Sequence, residues 1–146
     1  MKVIAATIKN LEQLAPLFNA YRVFYKQTPN IDAASAFLKE RFAKQDSTIF
    51  LCLDAADKGL GFTQLYPSFS SVSLQRVYIL NDLFVTSEAR KQGVGEALME
   101  RAKQFAIKEG SKGITLETDA DNPAQKLYKK LGWKNDDGVN HYTWEV

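Results

Sequence analysis

Residues 88–98 read EARKQGVGEAL. Gly93 and Gly95 stand one residue apart, with Arg90 and Lys91 just before them. Val94, Ala97, Leu98, Ala102, Phe105 and Ala106 then recur at helical spacing, and Gly110 ends the pattern. The stretch therefore opens a helix. One reading is a tight turn into that helix, with glycine supplying backbone freedom. The other is an anion site. A helix N-terminus has unpaired N–H groups and partial positive charge. Glycines clear side chains from that mouth, and Arg90 and Lys91 add full charges, a combination suited to a pyrophosphate.

Three ligand classes compete for such a mouth. A P-loop needs a lysine and a hydroxyl after its last glycine, but Glu96 and Ala97 follow Gly95. A dinucleotide fingerprint needs a third glycine where Leu98 stands, tight against a strand end. Thr86–Gln92 separate strand from glycine here, although Glu117 imitates the ribose-binding acid of that motif. Coenzyme A is the third class.

Outward from this stretch the chain alternates strands and helices. Strands are expected at 2–8, 48–54, 60–66, 76–85, 112–118 and 140–146. Helices are expected after Asn10, at 31–44, after the glycine pair and at 123–131. Asn10 with Gln13 has the spacing of a capping box. Pro16 is a candidate kink in the first helix. Residues 67–73, rich in serine, are expected to form a loop. The order β-α-α-β-β-β-α-β-α-β defines an α+β (mixed α/β) fold, expected to occupy residues 1–146 as one domain.

Composition narrows the function classes. Apolar residues make up 45% and charged residues 25% of the 146, as in a globular domain with a real core. Nineteen basic against seventeen acidic residues give a net charge of +2, which offers no bulk argument for nucleic acid. No run of 18 apolar residues predicts a membrane span. MKVIAATIKN lacks the apolar region of a signal peptide, so a cytoplasmic protein is expected. Cys52 is the only cysteine and lies between Leu51 and Leu53, which predicts a buried structural thiol. With His141 the only histidine, neither a Cys–His dyad nor a zinc site is expected.

The stretch Arg90-Lys91-Gln92-Gly93-Val94-Gly95 resembles the R-x-x-G-x-G loop of the GNAT superfamily of acyl-CoA-dependent N-acyltransferases. Leu80-Asn81-Asp82-Leu83-Phe84-Val85 is similar to the family's L-x-x-L-x-V strand, immediately upstream. Downstream, Ala124–Trp133 (AQKLYKKLGW) is similar to A-x-x-L-Y-x-x-x-G-[FW]. The close resemblance spans roughly residues 77–134. It implies a mixed, mostly antiparallel sheet flanked by helices, in which the strand at 76–85 splays from the one at 112–118. The pantetheine arm of acetyl-CoA then adds a pseudo-strand against the backbone of Leu83, Phe84 and Val85. Arg90 supplies charge, while Lys91, Gln92, Gly93, Val94, Gly95 and Glu96 wrap the pyrophosphate.

The same resemblance implies acetyl transfer from acetyl-CoA to a primary amine of a small molecule or a lysine side chain, by direct attack, in a homodimer without metal. The alternative is a non-catalytic coenzyme A-binding or sensory domain. Tyr128 matches the tyrosine that donates a proton to the departing thiolate. It also shares a helical stripe with Ala124, Leu127 and Leu131, so core packing is a second role. Some diamine acetyltransferases of the family carry a glutamate, a proposed base, where this chain has Asn81. An amide takes no proton, which leaves Asp82 as the nearest carboxylate, either a base or a structural hydrogen-bonding partner. Strand alternation puts Asn81 and Asp82 on opposite faces unless a bulge intervenes. The family often has an asparagine three residues before Ala124. Asp121 holds that spacing, and Asn122, one residue late, is assigned to the pantetheine. Tyr21 and Tyr25, one helical turn apart, are expected to wall the acceptor pocket with Asn81.

Overall fold

The computed structural model describes residues 1–146. Its strands are β1 (Lys2–Ala5), β2 (Thr48–Leu53), β3 (Gly59–Ser70), β4 (Gln75–Val85) and β5 (Ile114–Thr115). Its helices are α1 (Leu11–Phe24), α2 (Ile31–Lys44), α3 (Val94–Lys108) and α4 (Gln125–Lys130). The sheet runs β1-β2-β3-β4-β5. All pairs are antiparallel except β4 with β5. This is the mixed α/β fold expected from the element order.

Both faces of the sheet are covered. On one face α1 and α2 bury Leu14, Phe18 and Leu38 against Leu51 and Phe62. On the other, α3 lays Val94, Leu98, Met99 and Ala102 over Phe50, Leu65 and Leu80. Strands covered on both faces read as continuous apolar runs, as TIFLCL in β2 does. Cys52 lies within this core, fully buried.

Several boundaries differ from expectation. The capping box forms one turn early: Thr7 accepts from Lys9 N, and Asn10 Oδ1 accepts from Thr7 N. Asn10 meets Gln13 side chain to side chain at 3.0 Å and does not cap α1. Residues 67–70 continue β3 instead of looping, and Pro67 pairs with Tyr78. Pro67 stands beyond the last β2 partner, Thr48↔Leu65, where one edge of β3 is free and a strand admits proline. The strand expected at 140–146 does not form. Beyond Thr115 no ladder exists to receive it, and Tyr142 and Trp144 stand 87% and 85% exposed. One contact ties that tail to the sheet side, His141 Nδ1 to Glu117 Oε1 at 3.1 Å.

Two features of β4 position the site. Its pairing with β5 covers only Tyr78↔Ile114 and Ile79↔Thr115, so its outer edge is open from Leu80 to Val85. This is the splay that the resemblance implied. Second, Gln64 faces Asp82 while Leu65 faces Leu80. Asn81 is thus the extra residue of a β-bulge, which re-aims neighbouring side chains.

Candidate active site

The open edge of β4 runs into the entrance of α3. Gly93 caps that helix at φ +81°, with no side-chain cap bond to the first turn. Lys91 is also left-handed, at φ +62°. A lysine in that region is uncommon and stores strain typical of ligand loops. The N–H groups of the first turn of α3 therefore lack the side-chain acceptor that usually closes a helix. Around them lies a cavity of about 350 Å³ lined by Val85, Arg90, Lys91, Gly93, Gly95 and Lys130, among others. Glu96 also lines it, paired with Lys130 at 2.9 Å across the gap between α3 and α4. Arg90, Lys91 and Lys130 outweigh that single carboxylate, so the mouth is positive.

The two glycines differ in role. A Cβ on Gly93 would meet nothing within 4 Å, so the position is reserved by its φ and by the open mouth above it. A Cβ on Gly95 would stand 3.1 Å from Leu127 Cδ2, so this glycine lets α4 come close. The side chains around them divide the work. Arg90 Nε donates to the Val85 carbonyl at 3.3 Å, and its guanidinium lies 5.8 Å from the Phe24 ring. Gln92 Nε2 donates to the Glu88 carbonyl at 2.9 Å and braces the loop from outside the cavity. Asn122 Oδ1 accepts from Ala124 N at 2.9 Å, which commits that oxygen to the turn before α4.

At the other end of the open edge, Asp82 is held in the bulge. Gln64 Nε2 donates to its Oδ2 at 2.6 Å and Asn81 Nδ2 to its Oδ1 at 3.0 Å. Thr63 Oγ1 donates to its carbonyl at 2.8 Å. The bulge thus resolves the alternation problem: Asn81 and Asp82 touch through their side chains. Above them Tyr21 OH reaches the Asn81 carbonyl at 3.5 Å. Its ring packs edge-on at 5.1 Å from Tyr25 and 6.3 Å from Phe84. Burial, then the charge of Asp82, pushes the Tyr21 phenol far up. Burial, Asp119 and Asp82 raise that of Tyr25. Tyr66 is pushed up to about 12, first by burial and then by Asp82.

Tyr128 sits half-buried on α4 with its ring 6.2 Å from Trp133. Burial raises its phenol, and nearby Tyr25 adds to the shift, so it keeps its proton at neutral pH. Tyr21, Tyr25, Asp82 and Tyr128 thus converge from α1, β4 and α4. Gln64, bonded to Asp82, and Lys130, at the cavity mouth, also lie here, although sequence patterns did not single them out. The available signal was Thr63-Gln64, a polar pair inside the apolar run GFTQLY of β3.

An uncapped helix entrance, a positive mouth and an unpaired strand edge meet along β4. The chain belongs to the acetyltransferase (GNAT) family, whose model matches residues 11–133. It is 44% identical over 147 residues to the uncharacterized N-acetyltransferase YhfO of Bacillus subtilis (strain 168), covering 100% of this chain and 98% of that protein. A probable acetyltransferase of Haemophilus influenzae is 40% identical over 105 residues, 72% of each chain. A crystal structure of a probable acetyltransferase superposes with a TM-score of 0.94 at 42% identity, covering 100% of this chain and 98% of the other. The protein is therefore an N-acetyltransferase of a family whose general reaction moves an acetyl group from acetyl-CoA to an amine.

Proposed function

We propose that residues 1–146 form one transferase unit that acetylates a primary amine, of a small molecule or a lysine side chain, by direct attack. The observation that carries this reading is the meeting of the open β4 edge with the uncapped, positively charged entrance of α3. Acetyl-CoA, when bound, supplies the thioester that the amine attacks. The backbone of Leu83, Phe84 and Val85 takes its peptide-like arm, satisfying groups that no fifth-strand partner reaches. Main-chain N–H groups of Lys91 to Glu96 hold the pyrophosphate. An N–H near Phe84 faces the developing oxyanion. Tyr128 keeps its proton for the departing sulfur, and Asp82 receives the proton of the amine. Tyr21, Tyr25 and Asn81 border the acceptor.

Two coarser expectations join this reading. The need for acetyl-CoA fits a cytoplasmic site of action. The exposed Val139, Tyr142 and Trp144 offer apolar surface to a second copy in a homodimer. The deciding experiment is release of free thiol from acetyl-CoA across polyamines, amino acids and lysine peptides. Turnover with at least one amine is expected. Acetyl-CoA binding with no turnover on any amine class would turn the reading into a binding domain.

A further inference from the structure

Asp82 is 4% exposed, yet no cation of the chain pairs with it. The ion pairs use Glu40, Asp46, Asp57, Glu96, Glu100 and Glu117. Only neutral groups hold its carboxylate, the amides of Gln64 and Asn81 with the Tyr21 hydroxyl close by. Neutral donors make a buried charge tolerable without cancelling it. Gln64 is itself fully buried, and its Oε1 has no donor in the protein. Turning the amide over gives no remedy, since Oε1 would then face Asp82 Oδ2, acceptor against acceptor. Buried polar atoms are rarely left unpaired. Here an unpaired acceptor belongs to the same amide that braces an unneutralised carboxylate. Near Asp82 stand Tyr21 and Tyr25, 5.1 Å apart, with Phe62 5.7 Å from Tyr21. Aromatic rings attract cations as well as apolar carbons.

We propose that Asp82 and Gln64 form an ammonium-binding floor of the acceptor pocket, in which the Asp82 charge favours a protonated amine and Gln64 positions both the carboxylate and the amine. The inference rests on the transferase reading above and deepens it. The acceptor arrives as a primary ammonium, whose N–H groups are taken by Asp82 and Gln64 Oε1 beside the two tyrosines. One N–H bond then breaks and its proton forms an O–H bond on Asp82. The neutral amine keeps the electron pair with which it attacks, and Asp82 later returns the proton to water. Gln64 acts in part through Asp82, by fixing the direction of its free lone pairs.

The test uses methylguanidinium, a permanent cation with N–H donors, and N-methylurea, its neutral counterpart of similar shape. Each is titrated calorimetrically into the full chain loaded with coenzyme A, and each is tried as an inhibitor against the acceptor amine. Charge-assisted hydrogen bonding predicts that methylguanidinium binds about tenfold to hundredfold tighter. Equal affinities, including no measurable binding of either, overturn the inference. Gln64→Met keeps the volume and removes the amide. It should raise acceptor KM about tenfold with acetyl-CoA affinity within about twofold, and weaken methylguanidinium binding by a similar factor. A folded variant with unchanged acceptor KM also overturns the inference. If that variant does not fold, the two probes on the unaltered protein still decide. Failure of the transferase reading is distinguishable, because it appears as loss of acetyl-CoA binding or of all turnover, whatever the two probes do.

Discussion

Gly93 holds φ +81° where a β-branched side chain is strongly disfavoured. Such strain costs of order 1–3 kcal/mol. Gly93→Val should therefore lower the melting temperature while leaving native-like circular dichroism. Its side chain would also enter the open mouth, and the acetyl-CoA dissociation constant should rise about tenfold or more, the loss expected for roughly 1.4 kcal/mol. An unchanged constant in a folded variant would reduce the glycine to a turn residue. Tyr128 is a different case, because its ring and its hydroxyl are separable. Tyr128→Phe keeps the packing against Trp133 and removes the hydroxyl proposed as the proton donor. General acid catalysis is typically worth about 10²–10⁴-fold, and a thiolate leaves readily, so the expected fall in turnover is roughly 10²-fold or less. Acetyl-CoA affinity should stay nearly constant. If turnover is unaltered where chemistry is rate-limiting, the proton comes from elsewhere.

The open edge of β4 makes its own prediction. Amides of β4 that face β3 are already bonded, while those on the outer edge between Leu80 and Val85 have no strand partner. Hydrogen exchange should therefore slow on addition of acetyl-CoA at outward-facing amides of Leu80 to Val85 and in the first turn of α3. No slowing there would place the ligand elsewhere. This edge shows where sequence reading succeeds and where it stops. The β4–α3 junction was legible because its parts are local: an apolar strand, a glycine pair, two cations and a 3.6-residue stripe. The bulge at Asn81 was not, since it is defined by which residue of β3 stands opposite, and the sequence of β4 does not carry that register. Gln64 was missed for the same reason: its role appears only once β3 and β4 are paired. The tail at 140–146 failed in the opposite direction. Its alternation reads as a strand, but a strand needs a neighbour, and β5 ends at Thr115.

Across the site, burial raises the phenols of Tyr21, Tyr25, Tyr66 and Tyr128 together. In the unfolded chain a phenol loses its proton near 10.0, whereas Tyr66 in the fold holds it to about 12. Between those values the unfolded state binds fewer protons, so stability falls as pH rises. The contribution is complete below 10.0 and is lost as pH climbs through about 12. Melting curves across that window should show the decline, and Tyr66→Phe should make it shallower; equal slopes would deny the burial of that phenol. The aromatic wall, the bulge and the positive mouth are useful together only if one ligand runs between them along β4. The direct test is thermal unfolding with acetyl-CoA, NAD or ATP at matched concentrations. A ligand at about 100 times its dissociation constant adds roughly 2.7 kcal/mol to the folded state. Acetyl-CoA should raise the melting temperature by several degrees and the two nucleotides by much less. A shift with NAD or ATP and none with acetyl-CoA would contradict the assignment of the β4 edge and the α3 mouth to coenzyme A.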